Sequence, residues 1–128
     1  MNYKPSGYPT VSPYLVVEDG QRLIDFLDEV FDGRVARLYQ RPDGTLQHAE
    51  VRIDDSVIMI GEATGEWKAS PSMVHLFHPD VDAVFERAVA ASAVIQQEPK
   101  TGTGGDTDKR GGFLGPCGNS WWVSTQTE

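Results

Sequence analysis

The chain has 128 residues, 39% of them hydrophobic and 23% charged, which suits one folded domain with a core and is too short for two independent ones. Lys and Arg total 11 against 19 Asp and Glu, a net charge of -8, the wrong sign for gripping a phosphate backbone, so nucleic acid is not an expected partner. No apolar run approaches the roughly 20 residues that span a bilayer, Met1 to Pro13 hold no stretch of signal-peptide type, and the single Cys117 excludes disulfide frameworks and thiolate zinc sites, which together point to a cytoplasmic protein without membrane contact.

Residues 1–8 carry Pro and Gly without periodicity and read as a loose arm, followed by a first strand over residues 9–17. Asp19 then caps a helix whose apolar positions, Leu23, Ile24, Leu27, Val30 and Phe31, fall on one face, with Gly33 placed to end it. Three strands are expected at residues 34–40, 45–54 and 56–62. The first two are joined by Pro42-Asp43-Gly44, where a fixed φ, an Asx turn and a position tolerant of positive φ make a hairpin. A linker over residues 63–72 leads to a strand at 73–78 and to a second helix, capped by Asp80, that carries Val81, Val84, Phe85, Ala88 and Ala91 on one face. Strands at 93–97, 111–115 and 120–125 complete the chain, with a glycine-rich loop at 98–109 expected to be mobile.

The order is βαβββ twice, in modules at about residues 9–62 and 73–126 of one domain spanning 1–128. One such module is too small to cover both faces of its sheet. The expected fold is therefore α+β, two βαβββ modules forming a curved mixed sheet around a cavity with the helices on its outer face.

Four segments in this order resemble the glyoxalase, bleomycin resistance and extradiol dioxygenase (vicinal oxygen chelate) superfamily, and within it the PhnB-like branch. They are Ser12-Pro13-Tyr14-Leu15-Val16-Val17, the run from His48-Ala49-Glu50 to Met59, the run from Asp80-Val81-Asp82 to Ala88, and Gly111-Gly112-Phe113-Leu114-Gly115-Pro116-Cys117-Gly118-Asn119-Ser120-Trp121. The last turn departs from the family by lacking the usual Asp before Pro116, and so a carboxylate that could hold it. In metal-dependent members the resemblance implies His, Gln or Glu ligands on the first and last strands of each module. Carried over position by position, these fall on Ser12, Met59, Met73 and Trp122, a hydroxyl, two thioethers and an indole, so no metal and no cofactor are expected.

Strand alternation puts His48, Glu50 and Arg52 on one face and Ala49, Val51 and Ile53 on the helix side. The polar trio reads as a satisfied structural network, as ligand contacts, or as a metal or proton-transfer site. On the fifth strand Met73, His75 and Phe77 share a face opposite Val74 and Leu76, making His75 a second imidazole for the cavity or a structural hydrogen-bonding partner. Tyr14, Met59, Met73, Phe77 and Trp122 fall on the cavity side and would suit a flat organic ligand, or would simply fill the space. Trp121 points the opposite way, Trp67 is either a lid or a dimer contact, and His78 and Cys117 receive no role.

The leading reading is a non-metallo protein that binds a small aromatic or cationic organic molecule, in the manner of the drug-sequestering members it resembles, and that forms a homodimer. One rival is a metal-dependent lyase, isomerase or dioxygenase of the same fold using His48, Glu50 and His75. The other is a dimeric interaction or regulatory protein with a filled cavity.

Overall fold

A computed structural model describes residues 2–127, and the chain divides into two compact units at Ser70/Pro71. The first contains β1 (Tyr14–Val17), α1 (Gly20–Phe31), β2 (Arg34–Gln40), β3 (Leu46–Ile53) and β4 (Ser56–Glu62), assembled in the order β1-β4-β3-β2. The second contains β5 (Met73–Phe77), α2 (Val81–Ala90), β6 (Val94–Thr101), β7 (Lys109–Leu114) and β8 (Ser120–Thr125), in the order β5-β8-β7-β6. In each sheet the first strand lies parallel to the last and the other pairs are antiparallel. The α+β class and the repeated βαβββ order therefore stand.

Both helices begin where the sequence places their caps. Asp19 accepts from the Arg22 N–H at 3.1 Å and Asp80 from the Ala83 N–H at 3.1 Å, each satisfying a donor that the first helical turn leaves open. The end of each unit's last strand adds a second tie. The Glu62 carboxylate accepts from the Gly20 N–H and the Leu46 N–H, both at 2.7 Å. In the second unit, the Thr125 hydroxyl accepts from the Val81 N–H at 2.9 Å. Helix start and strand end are thus locked together in both units.

One face of each sheet is sealed by its helix. In the first unit Leu15, Val17, Ala49, Val51 and Ile60 pack with Leu23, Leu27 and Val30 in a buried apolar core. In the second, Phe113, Trp121 and Val123 pack with Val84, Phe85 and Ala88, and Phe85 meets Phe113 edge to face at 5.1 Å.

Several details differ from the sequence reading. β1 begins at Tyr14, not residue 9, because its ladder to β4 covers only Tyr14 to Val17, so Ser12 precedes the strand. β6 continues to Thr101, since its pairing with β7 runs on through Lys100 and Arg110, and the expected long loop shrinks to residues 102–108. Asp32, with φ 55°, takes the left-handed position that ends α1. Gly33 is needed for closeness instead: a Cβ there would lie 2.8 Å from Val51 Cγ1 and 3.0 Å from the Leu27 carbonyl oxygen. The turn that lacks a carboxylate is closed by the Gly115 N–H donating to the Asn119 carbonyl at 2.9 Å, and the buried Asn119 side-chain oxygen ties it to the segment before β5 by accepting from the Ser72 N–H at 2.9 Å.

Candidate functional site

The sheet face of the first unit opposite α1 centres on Glu50, a carboxylate only 4% exposed. The Tyr8 hydroxyl donates to its Oε1 at 2.5 Å and His48 Nε2–H donates to its Oε2 at 2.8 Å. Arg37 Nε approaches Oε1 at 3.6 Å. Burial by itself would raise the Glu50 pKa, but the two hydrogen bonds and the Arg37 charge outweigh it and hold the carboxyl below the usual glutamate value. The same carboxylate is the main reason that the Tyr8 hydroxyl is pushed up.

His48 Nδ1 faces the Tyr14 hydroxyl at 3.3 Å, and its ring stacks near Tyr39 with centroids 6.4 Å apart. Tyr14 and Met59 oppose each other across β1 and β4, in the same row as Glu50 on β3. Arg52 shares this face, its guanidinium 5.3 Å from the Tyr8 ring centroid, but it makes no ion pair with Glu50. It donates to the Gly7 carbonyl at 3.0 Å, and Arg37, from the neighbouring strand, is the cation at Glu50. Beside this network lies a cleft of about 330 Å³, bordered by Tyr14, Val16, Gly61, Arg41 and Trp67. Gly61 keeps it open, because a Cβ there would sit 2.8 Å from the Tyr14 hydroxyl. Trp67, 69% exposed, stands at its rim.

In the second unit the face opposite α2 carries Met73, His75, Phe77, Gly112, Trp122 and Ser124. The Trp122 indole lies directly over Gly112, where a Cβ would come within 2.5 Å of its Cδ2. Trp121 is completely buried on the helix side. His75 meets Phe77 edge to face at 4.8 Å, while Met73 and Phe77 are more than two-thirds exposed. A relay runs along this face: Arg110 Nε donates to the Ser124 hydroxyl at 2.8 Å, which in turn donates to His75 Nε2 at 2.8 Å. Burial, then the Arg110 charge, lowers the His75 pKa, favouring the neutral imidazole that can accept. Asp106 and Asp108 clasp Arg110 from the loop at 3.0 and 3.7 Å. On this face Nη1 of Arg110 and Nε1 of Trp122 are buried without an acceptor.

Two further residues considered in the sequence lie in short connecting segments. His78 Nδ1 accepts from the Asp80 N–H at 2.9 Å, bracing the start of α2. Cys117 sits in a short 3-10 turn (Pro116–Gly118) with φ 64°. Tyr8 and Arg37 went unnoticed in the sequence, Tyr8 because it lies in an aperiodic arm and Arg37 because nothing local marks which cation on a charged edge strand will reach a carboxylate on the next. The one available signal was that a buried Glu needs partners.

The donor set does not fit a hard metal. Ser12 offers a hydroxyl before β1, Met59 and Met73 offer thioethers, and Trp122 lies flat on the sheet with an N–H that only donates. Among the described residues no three His, Cys, Asp or Glu side chains gather where they could hold a metal ion.

A family model described as the glyoxalase/bleomycin resistance protein/dioxygenase superfamily matches residues 9–123. Relatives include uncharacterized proteins of Mycobacterium bovis and Mycobacterium tuberculosis, each 32% identical over 124 residues, covering 88% of this chain and 80% and 72% of their own. Among solved structures, TioX from Micromonospora sp. ML1 matches with TM-score 0.76 at 22% identity, over 91% of this chain and 98% of its own. The fosfomycin resistance protein FosX from Mesorhizobium loti matches with TM-score 0.67 at 17% identity, over 93% and 92%. A glyoxalase I mutant from Zea mays matches with TM-score 0.76 at 21% identity, over 91% of this chain and 46% of its own. At these identities the solved structures establish the fold.

Proposed function

Since the chain belongs to the glyoxalase/bleomycin resistance protein/dioxygenase superfamily, we propose that it is a non-metallo member of the PhnB-like branch, a cytoplasmic homodimer that binds and sequesters a small aromatic or cationic organic molecule. What supports this reading is the residue types at the positions that the family resemblance marks for metal ligands. Where a hard cation would need imidazole and carboxylate, the chain presents Ser12, Met59, Met73 and Trp122, and the sheet faces around them carry Tyr14, Tyr39, Phe77 and the flat Trp122 indole. Aromatic rings and thioethers give large, adaptable contact to a flat ligand. The acidic balance of the chain favours a cationic ligand over an anionic one.

The His48–Glu50 pair resembles a base and its orienter, yet both Glu50 oxygens are already engaged, and the pair serves better as a fixed polar contact than as a proton carrier. The test is a thermal-shift screen of the purified protein against neutral and cationic aromatics, with indole fluorescence followed for each hit. The expected result is a raised melting temperature accompanied by quenching. A screen without hits would favour the filled-cavity interaction protein, and about one Zn, Mn, Fe or Ni per purified chain would favour the enzyme.

A further inference from the structure

Residues 2–13 form neither helix nor strand, yet they are not loose. A turn closes when the Tyr8 N–H donates to the Pro5 carbonyl at 3.2 Å, and Gly7, at φ +80°, supplies the left-handed third position of a type II turn. The turn aims the Tyr8 ring into the sheet. Its hydroxyl reaches Glu50 at 2.5 Å, and the guanidinium groups of Arg52 and Arg37 lie 5.3 and 5.5 Å from the ring centroid. Apart from this ring, the side-chain hydrogen bond fastening the turn to the sheet, among the described residues, is the one from Arg52 to the Gly7 carbonyl.

We propose that the pocket formed by Glu50, His48, Arg37 and Arg52 is a receptor for a phenolic ring, and that Tyr8 occupies it as an internal ligand on a displaceable strap. The argument is one of complementarity. A buried carboxylate with one oxygen held by His48 has its other oxygen aimed at a hydroxyl donor, and two cations beside an aromatic slot favour an electron-rich ring. A free phenol offers the same groups as Tyr8. A side chain tethered through a short arm competes at an effective concentration in the millimolar range, so a small phenol would be held off while a larger ligand with further contacts would displace the strap. This deepens, and rests on, the reading of the chain as a small-molecule binder.

The test uses full-length wild type and Tyr8→Ala, with p-cresol as probe and 4-methylanisole, which keeps the ring and oxygen but cannot donate, as control. Calorimetric titration should show p-cresol binding Tyr8→Ala about tenfold or more tightly than wild type, and 4-methylanisole binding at least about tenfold more weakly than p-cresol. Adding Glu50→Leu should erase that discrimination. Should Tyr8→Ala fail to fold by circular dichroism, Tyr8→Phe retains the ring and should still yield to p-cresol more readily than wild type. No gain in either variant, or equal affinity for the two probes, overturns the proposal. If wild type takes up aromatic ligands with indole quenching while the Tyr8 variants ignore p-cresol, the strap falls and the binding function survives.

Discussion

Both oxygens of Glu50 are held, so its removal exposes the partners as much as it deletes a charge. Glu50→Gln should lower stability by about 1–3 kcal/mol at pH 7, measured by urea unfolding, because the Tyr8, His48 and Arg37 groups lose a charged acceptor in a buried place. The sign with pH follows from the lowered pKa of Glu50: its contribution is fully present above the unfolded glutamate value and lost as pH falls through the folded one. The gap between wild type and variant should therefore close toward acid, and a constant gap down to pH 3 would show that the charge is not what matters. The two adjacent tryptophans lie on opposite faces of the sheet. Trp121, completely buried, should cost about 2 kcal/mol or more as Trp121→Leu, against the roughly 3–5 of a core Trp→Ala change. Trp122→Leu should instead weaken aromatic-ligand binding several-fold, as stacking worth about 0.5–1.5 kcal/mol implies. Alternation along a strand makes this division legible in the sequence. Tyr8 was illegible for the opposite reason, since an aperiodic segment says nothing about where its side chains land.

At the scale of the element, Gly111 and Gly112 let large rings close on β7 from opposite faces. A Cβ on Gly111 would come within 2.5 Å of Phe85 Cζ on the helix side, and one on Gly112 within 2.5 Å of the Trp122 indole on the open side. Either glycine replaced by alanine should cost about 1–3 kcal/mol through overpacking. Only Gly112→Ala should also shift the indole emission and reduce ligand binding, and the two measurements together check the assignment of faces. Helix starts were legible because capping is local chemistry: an Asp followed by an amphipathic run announces itself, and Asp19→Ala should lower the melting temperature through a loss of about 1 kcal/mol. Strand ends were not. β1 begins late and β6 runs long because a strand lasts only where its partner's ladder does, and that ladder is set by register in three dimensions.

For the whole molecule we propose a homodimer, for which the exposed Trp67 remains an argument while the buried Trp121 no longer is. Sedimentation at micromolar concentration should give twice the 14.1 kDa chain mass, and a monomer would count decisively against the dimer. No helix among the described residues is long and apolar enough to cross a membrane. The sequence by itself determined the βαβββ repeat, the two helix faces and the Pro-Asp-Gly hairpin, because periodicity, capping and turn chemistry are properties of single residues and short windows. Only the tertiary structure decided that Arg37 and not Arg52 pairs with Glu50, that Glu62 and Thr125 anchor the helices, that the Asn119 side chain ties its turn to Ser72, and that the Tyr8 hydroxyl reaches Glu50. Each of these is a contact between residues distant in sequence or on different strands, where the partner is chosen by register and reach in three dimensions.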